Sequence, residues 1–102
     1  MVNKLESLLG FAVKSGKVVF GYDNLMDTRK KVKMIIFSPS LSEKVKGKLK
    51  LYAEAKNMIL AESKELLEDL IHRDNCKVVG LTDINMISAI RNLENLNIIS
   101  RE

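Results

Sequence analysis

The sequence has few of the residues that cross-link or interrupt small proteins. Its 102 residues include one cysteine, one proline, one histidine and no tryptophan. A single thiol cannot form a disulfide within the chain, and one cysteine with one histidine cannot supply the four ligands of a structural zinc site. Cys76 stands just before an apolar run, so we expect an inert buried thiol and a reducing compartment. The fold must then be stabilised by an ordinary hydrophobic core.

Long apolar runs are also absent. None approaches the roughly 20 residues that cross a bilayer, and the beginning of the chain carries Lys4 and Glu6 instead of the continuous apolar stretch of a signal peptide. We therefore expect a cytoplasmic protein that does not contact membranes. The composition, with 46% hydrophobic and 29% charged residues, is typical of a globular chain, and the length predicts one domain over residues 1–102.

Motifs for catalysis are missing as well. The glycine spacing matches neither a dinucleotide-binding nor a nucleoside-triphosphate-binding loop. His72 has no recognised nucleophile motif to act on, so we interpret it as a surface or loop residue. The carboxylates between positions 62 and 69 are interpreted as the solvated face of a helix. The sequence thus predicts that the protein is no enzyme and has no cofactor, metal or small-molecule substrate.

Positive charge is concentrated in the first half of the chain. Up to Tyr52 there are 11 Lys and Arg against 4 Asp and Glu, and from Ala53 onward there are 6 against 9. The two balances, +7 and −3, account for the net charge of +4. Such a concentration attracts polyanions. Taken alone, it fits solvated helix faces as well as it fits a nucleic-acid footprint.

Apolar spacing predicts helices that alternate with strands. Leucine and alanine recur at helical spacing from Leu5 to Val13, and Gly16 ends that helix. After a short strand over 17–20, Gly21 precedes Asp23 and Asn24, which we expect to cap a second helix that runs to about Lys30. The later elements follow in the same alternation: strand 34–37, helix 41–53, strand 58–61, a helix capped by Ser63 with Leu66, Leu67, Leu70 and Ile71 inward, strand 77–81, a helix opened by Thr82 or Asp83 with Met86, Ala89, Ile90 and Leu93 buried, and strand 98–100.

This alternation predicts an α/β fold. Helices of about ten residues between short strands are typical of a three-layer α/β/α sandwich. We expect a mostly parallel central sheet of four to five short strands, with helices on both of its faces.

Several segments, in their order along the chain, resemble one protein family. These are LLGFAVKSGKVVFG from Leu8 to Gly21, the apolar run from Met34 to Phe37, VKGKLKLYAEAKNM, ESKELLEDLI and CKVVGLTDINMISAI. Together they resemble the kink-turn RNA-binding ribosomal protein family typified by archaeal ribosomal protein L-seven-Ae, and above all its small bacterial YlxQ-like branch. The resemblance covers nearly the whole chain and implies a non-catalytic, cytoplasmic RNA-binding protein of a ribonucleoprotein.

The resemblance also implies where RNA binds. In that family RNA lies between the N-terminal end of the second helix and the loop before the last main strand, where unpaired bases and phosphates meet side chains and backbone N–H groups. The family's Gly-x-Asn-Glu segment falls here on Gly-Tyr-Asp-Asn, which would approach the RNA backbone and contact base edges, and nearby cations would meet phosphates. The implied RNA-binding residues are Lys17, Gly21, Tyr22, Asp23, Asn24, Arg29, Lys30, His72, Arg73, Asp74 and Asn75.

Other interpretations of these residues remain open. Gly21 fits the end of a strand, Asp23 fits a simple helix cap, and Tyr22 fits a core position as well as a base-stacking ring. Asp27 stands where relatives carry a lysine. The expected partner is structured RNA, either ribosomal RNA or another kink-turn RNA, bound by a monomer. The alternative is a diverged family member that acts as a protein-interaction module with only non-specific RNA affinity.

Overall fold

The computed structural model describes residues 3–100. Within this range five helices alternate with five strands, and the fold is mixed α/β. In chain order the elements are α1 Lys4–Lys14, β1 Val18–Phe20, α2 Tyr22–Asp27, β2 Met34–Phe37, α3 Glu43–Lys56, β3 Ile59–Ser63, α4 Leu67–Ile71, β4 Val78–Leu81, α5 Ile84–Ile90 and β5 Leu96–Ser100.

The five strands form one sheet in the order β1-β4-β2-β3-β5. Only β2 and β3 pair in parallel, whereas β4 is antiparallel to both of its neighbours and β5 is antiparallel to β3. The prediction of a mostly parallel sheet is therefore wrong. β1 and β2 do point the same way, as their connecting helix predicted, but β4 lies between them. The local apolar pattern predicts that two strands joined by a helix run in the same direction. It does not show that a later strand, here β4, lies between them in the sheet.

The core consists of two apolar clusters between which the side chains of β2 alternate. Met34 and Ile36 belong to the first cluster, with side chains of α1, α4 and α5. Ile35 and Phe37 belong to the second, with Leu25 of α2 and side chains of α3. All four β2 side chains are buried, which confirms the strand predicted from their continuous apolar run.

Three of the helices begin at a residue whose side chain caps the helix N-terminus. The Asn3 side chain accepts a hydrogen bond from the Glu6 N–H at the start of α1, and the Ser42 side chain accepts one from Val45 at the start of α3. Asn57, with φ of 57°, ends α3 in the left-handed conformation. Asp83 caps α5, as predicted, through the Asn85 N–H.

α2 ends three residues before the predicted boundary. Thr28 has extended dihedral angles, φ −69° and ψ 145°, and residues 28–33 run as irregular backbone to β2. Two contacts require this course: Val32 is buried in the second cluster, and the Lys33 N–H donates to the Leu81 carbonyl at 2.9 Å. Joining the sheet therefore prevails over the helical propensity of the Arg-Lys-Lys segment.

The region around α4 also differs from the prediction. Ser63 does not cap this helix, because it is the buried last residue of β3, with its hydroxyl 2.7 Å from the Glu65 carbonyl oxygen. The first N–H of the helix, that of Leu67, donates instead to the Ser38 hydroxyl at 3.1 Å. Leu66, expected inward, is 43% exposed. Ala89 of α5 is exposed as well, and β5 begins two residues before its predicted start.

Candidate nucleic-acid interface

The two segments implied as the walls of an RNA site lie together at one end of the sheet. Antiparallel pairing places Phe20, the last residue of β1, opposite Val79 of β4. The Gly21 N–H donates to the Val78 carbonyl at 2.8 Å. The start of α2 therefore lies beside the loop 72–77, although about fifty positions separate the two segments in the sequence.

Gly21 is the N-cap of α2 and adopts a backbone conformation that favours glycine. Its φ is 84° and its ψ is 155°, a combination that side chains with a Cβ rarely adopt. Asp23 and Asn24 were expected to cap the helix and do not, because α2 begins at Tyr22 without a side-chain cap. Both lie in its first turn and are exposed. The Asn24 Nδ2 donates to the Phe20 carbonyl at 2.9 Å, so its Oδ1 is the atom of this exposed amide that can accept.

Tyr22 packs against the second core cluster and is only partly exposed. Of the two interpretations that its position allowed, the structure favours the core position. The exposed groups at this end of α2 are therefore the Asp23 carboxylate and the Asn24 amide.

The facing loop presents an exposed cation, Arg73, against Phe20, the residue that precedes Gly21. The Arg73 guanidinium lies 4.0 Å from the centroid of the Phe20 ring, a cation–π distance, and the residue is exposed. Asp74 and Asn75 are exposed beside it, and Asn75 has a φ of 63°. Behind them Cys76 is buried, and this burial raises the pKa of its thiol, as expected of an inert cysteine.

Two of the implied residues lie elsewhere. The Nε2 of His72 is 2.9 Å from the Glu6 carboxylate, so His72 faces α1 and not Gly21. Lys17 lies at the other end of β1, about 10 Å away along a three-residue strand. There its Nζ is 3.1 Å from the Asp83 carboxylate and, by that hydrogen bond, lowers the pKa of Asp83. The sequence did not indicate these contacts because both partners come from distant elements.

Arg29 and Lys30 follow α2 along the outer edge of β1. Arg29 is exposed, and the Lys30 Nζ donates to the Gly16 carbonyl at 3.2 Å. Lys30 lines a shallow groove of about 350 Å³ together with Asn24 and Asp27. The groove thus holds a carboxylate beside a cation.

A serine–carboxylate cluster beside the site was not predicted. The Ser38 hydroxyl lies 2.6 Å from one Glu68 oxygen, and the Ser40 hydroxyl donates to the other at 2.8 Å. Partial burial on its own would raise the pKa of Glu68. The hydrogen bonds from Ser38 and Ser40 and the nearby Lys77 together lower it by more than burial raises it, so the pKa lies below its usual value.

The interpretation of the carboxylates at 62–69 as one solvated face is therefore wrong. Glu68 joins the loop after β2 to α4, Glu62 pairs with Lys46 at 3.2 Å, and Glu65 accepts from Asn95 at 2.8 Å. The only signal in the sequence was the Ser-Pro-Ser segment after a buried strand, which does not identify its partner.

Comparison with known proteins shows the fold and no more. No family model matches the chain, and no curated protein matches it. A solved structure of a protein with unknown function from Bacillus halodurans C is similar, with a TM-score of 0.77 and 20% sequence identity over 86% of this chain and 93% of that one. The two chains share a fold. Within residues 3–100 no helix is long and apolar enough to cross a membrane, and no group of three or more His, Cys, Asp or Glu side chains is arranged to hold a metal.

Proposed function

We propose that the protein binds kinked or otherwise structured RNA, without catalysing a reaction, between the start of α2 and the loop 72–75. The observation that carries the proposal is that the start of α2, with Gly21, Asp23 and Asn24, and the loop that carries Arg73 lie side by side at one end of the sheet, joined through Val78 and Phe20. This is the pair of walls that the resemblance to the kink-turn-binding, YlxQ-like ribosomal proteins implies. Membership of that family, a three-layer sandwich, a cytoplasmic location and a monomer belong to the same proposal.

The chemistry of the exposed groups suits unpaired bases. A carboxylate at Asp23 and a free amide oxygen at Asn24 are acceptors, and an unpaired guanine offers N–H donors on its Watson–Crick edge. Because Arg73 is supported by the Phe20 ring, its guanidinium is held where it can donate to a phosphate. Acceptors for base edges thus stand beside a donor for the backbone.

The division of the core supports the sandwich. Side chains of α1, α4 and α5 pack in one cluster and those of α2 and α3 in the other, while β2 contributes alternate residues to each. Such an alternation is expected when helices cover both faces of a sheet.

The test is a titration of the protein against a kink-turn RNA and a straight duplex of matched length, at physiological salt with magnesium. We expect clear preference for the kinked RNA, and at least tenfold weaker binding to it by Arg73→Gln, because a charged hydrogen bond contributes about 1.5 to 3 kcal/mol. Lys48→Gln, at an exposed position on α3, is the matched control and should bind as the wild type does. Equal affinity for the two RNAs would overturn the proposal.

The second candidate is a protein-interaction module with only non-specific RNA affinity. Asp27 favours it, because this carboxylate lines the groove in which Lys30 would otherwise attract phosphate. If the wild-type protein does not prefer kinked RNA but Asp27→Lys acquires the preference, the site has lost its RNA function and the second candidate is supported. A clear preference of the wild-type protein for kinked RNA would exclude this second candidate.

A further inference from the structure

A basic groove lies at the end of the sheet opposite the candidate RNA site. It has a volume of about 420 Å³ and lies at the starts of the parallel strands β2 and β3. The candidate site lies at the end of β2, where Phe37 pairs with Val78 of β4. The four residues of β2 therefore separate the two places by about 13 Å.

Four cations line this groove and no carboxylate does, among the residues that the structure describes. They come from three places: Lys31 and Lys33 before β2, Lys56 at the end of α3, and Arg91 after α5. Within residues 3–100 none of the four has a carboxylate oxygen within 4.0 Å. Within the described part of the chain, their charge is thus not neutralised by an ion pair.

Ordinary helix electrostatics explains two of the four cations. Lys56 lies in the last turn of α3, where a cation is favourable next to the carbonyl end of a helix. Those carbonyls are also capped, since the Asn57 N–H donates to Ala53 and Glu54. Arg91 is the C-cap residue of α5, where a cation is favourable for the same reason, whereas Lys31 and Lys33 lie outside any helix, in the irregular segment before β2. Like charges brought together from separate segments repel each other, so their convergence indicates an anionic partner.

The floor of the groove is apolar. Ile87, Met58 and Val32 are buried there, and Ile84 projects from α5 with 62% of its surface exposed. A chain of phosphates joined by sugars matches this combination, because the phosphates meet the cations while the sugar faces pack on the isoleucine.

We propose that this groove binds the phosphate backbone of a second RNA segment, so that one protein holds RNA at both ends of its sheet. The choice of RNA as the polyanion rests on the proposed function, whereas the groove itself does not. The segment is a regular helix, because cations and apolar side chains make up most of the lining, which includes no carboxylate and whose uncharged polar side chains are those of Asn57 and Ser88.

The test uses Lys33→Gln with Arg91→Gln in the full chain and a straight RNA duplex as the probe. The matched control is Lys44→Gln with Lys48→Gln, which removes the same charge from exposed positions on α3 outside the groove. We expect the groove variant to bind the duplex at least tenfold more weakly than the control variant does. The slope of log affinity against log salt should also fall by about 0.7 to 0.9 for each lost phosphate contact.

Backbone amide chemical shifts separate this proposal from the proposed function. Addition of straight duplex should shift the amides of Asn57 and Ser88 in the groove, and kinked RNA with short stems should shift those of Gly21 and Arg73. Shifts at the groove alone would support the second site and reject the kink site.

Two results would overturn the proposal that the groove binds RNA. One is equal weakening of duplex binding by the groove variant and the control variant. The other is groove-dependent binding of a polyglutamate peptide without binding of RNA. Lys33→Arg with Arg91→Lys retains the charge and should restore duplex binding.

Discussion

At the scale of single residues, Gly21 is a residue of the candidate site whose backbone conformation favours glycine. Its φ of 84° and ψ of 155° lie where a Cβ is disfavoured, although no atom lies within 4 Å of the position that a Cβ would take. Substitution is thus limited by backbone strain and not by space. The glycine was evident in the sequence, but its positive φ was not, since the end of a strand does not require one.

We predict that Gly21→Ala lowers the free energy of unfolding by about 1 to 3 kcal/mol, because it forces a residue with a Cβ into this conformation. Gly10→Ala is the control. Gly10 lies inside α1, also with free space around it, and alanine there should raise the free energy by about 0.5 to 1 kcal/mol. Urea unfolding measures both changes, and opposite signs are expected. A Gly21 variant as stable as the wild type would contradict the strain.

Glu68 gives a pH-dependent prediction. Its folded pKa lies below its usual value of 4.5, so the folded state favours the ionised carboxylate. The stabilisation is fully present above the pKa of the unfolded chain and is lost as the pH falls through the lowered folded pKa.

Glu68→Gln should therefore be less stable than the wild type at about pH 7, and the difference should shrink by about pH 3. Thermal unfolding across this range measures it. Glu54→Gln, at an exposed position on α3, should show a small difference that is nearly independent of pH. A Glu68 difference that is constant with pH would show that the hydrogen bonds from Ser38 and Ser40 do not favour the charged form.

At the scale of the elements, the sequence predicted helices and strands better than it predicted their neighbours. The continuous run at Met34–Phe37 and the leucine spacing of α1 depend on local burial, which a period reveals. The place of β4 between β1 and β2, and the extended course after Asp27, depend on contacts with residues far along the chain. The resemblance grouped Gly21 with Arg73, and the structure brings their two segments together at one end of the sheet. His72 and Lys17, in contrast, have partners that no local pattern indicates.

β4 supplies a prediction at this scale. A Cβ on Gly80 would lie 2.8 Å from Leu25 Cδ1 and 3.0 Å from Val32 Cγ1, and both side chains are buried. We predict that Gly80→Ala lowers the free energy of unfolding by about 1 to 3 kcal/mol, because the core is overpacked where α2 and the following segment cross the sheet. In the background of Val32→Ala the same substitution should cost less. A double-mutant cycle in urea measures this coupling, and a coupling of zero would contradict it.

At the scale of the whole molecule, the basic residues do not form one surface. Lys30 lies on the edge of β1, and Lys31 and Lys33 line the groove at the start of β2. Lys46 on α3 pairs with Glu62 near the end of β3. The bias of charge along the sequence fitted solvated helix faces as well as a binding site for a polyanion, and it could not indicate this division. The cations are spread over the molecule, while the acceptors proposed for base edges, Asp23 and Asn24, are confined to one end.

This separation predicts how salt affects the affinity for RNA and the preference for kinked over straight RNA. Phosphate contacts release counterions and make affinity fall steeply with salt, whereas contacts to base edges release none. We therefore expect the affinities for kinked and straight RNA each to fall as salt rises, while their ratio falls only by the one phosphate contact proposed for Arg73, with a slope of about 0.7 to 0.9 in log ratio against log salt. Titrations of both RNAs from about 50 to 200 mM salt measure the ratio. A ratio that falls more steeply, toward one, would mean that the kink is recognised only by its charge density, and that Asp23 and Asn24 do not contact bases.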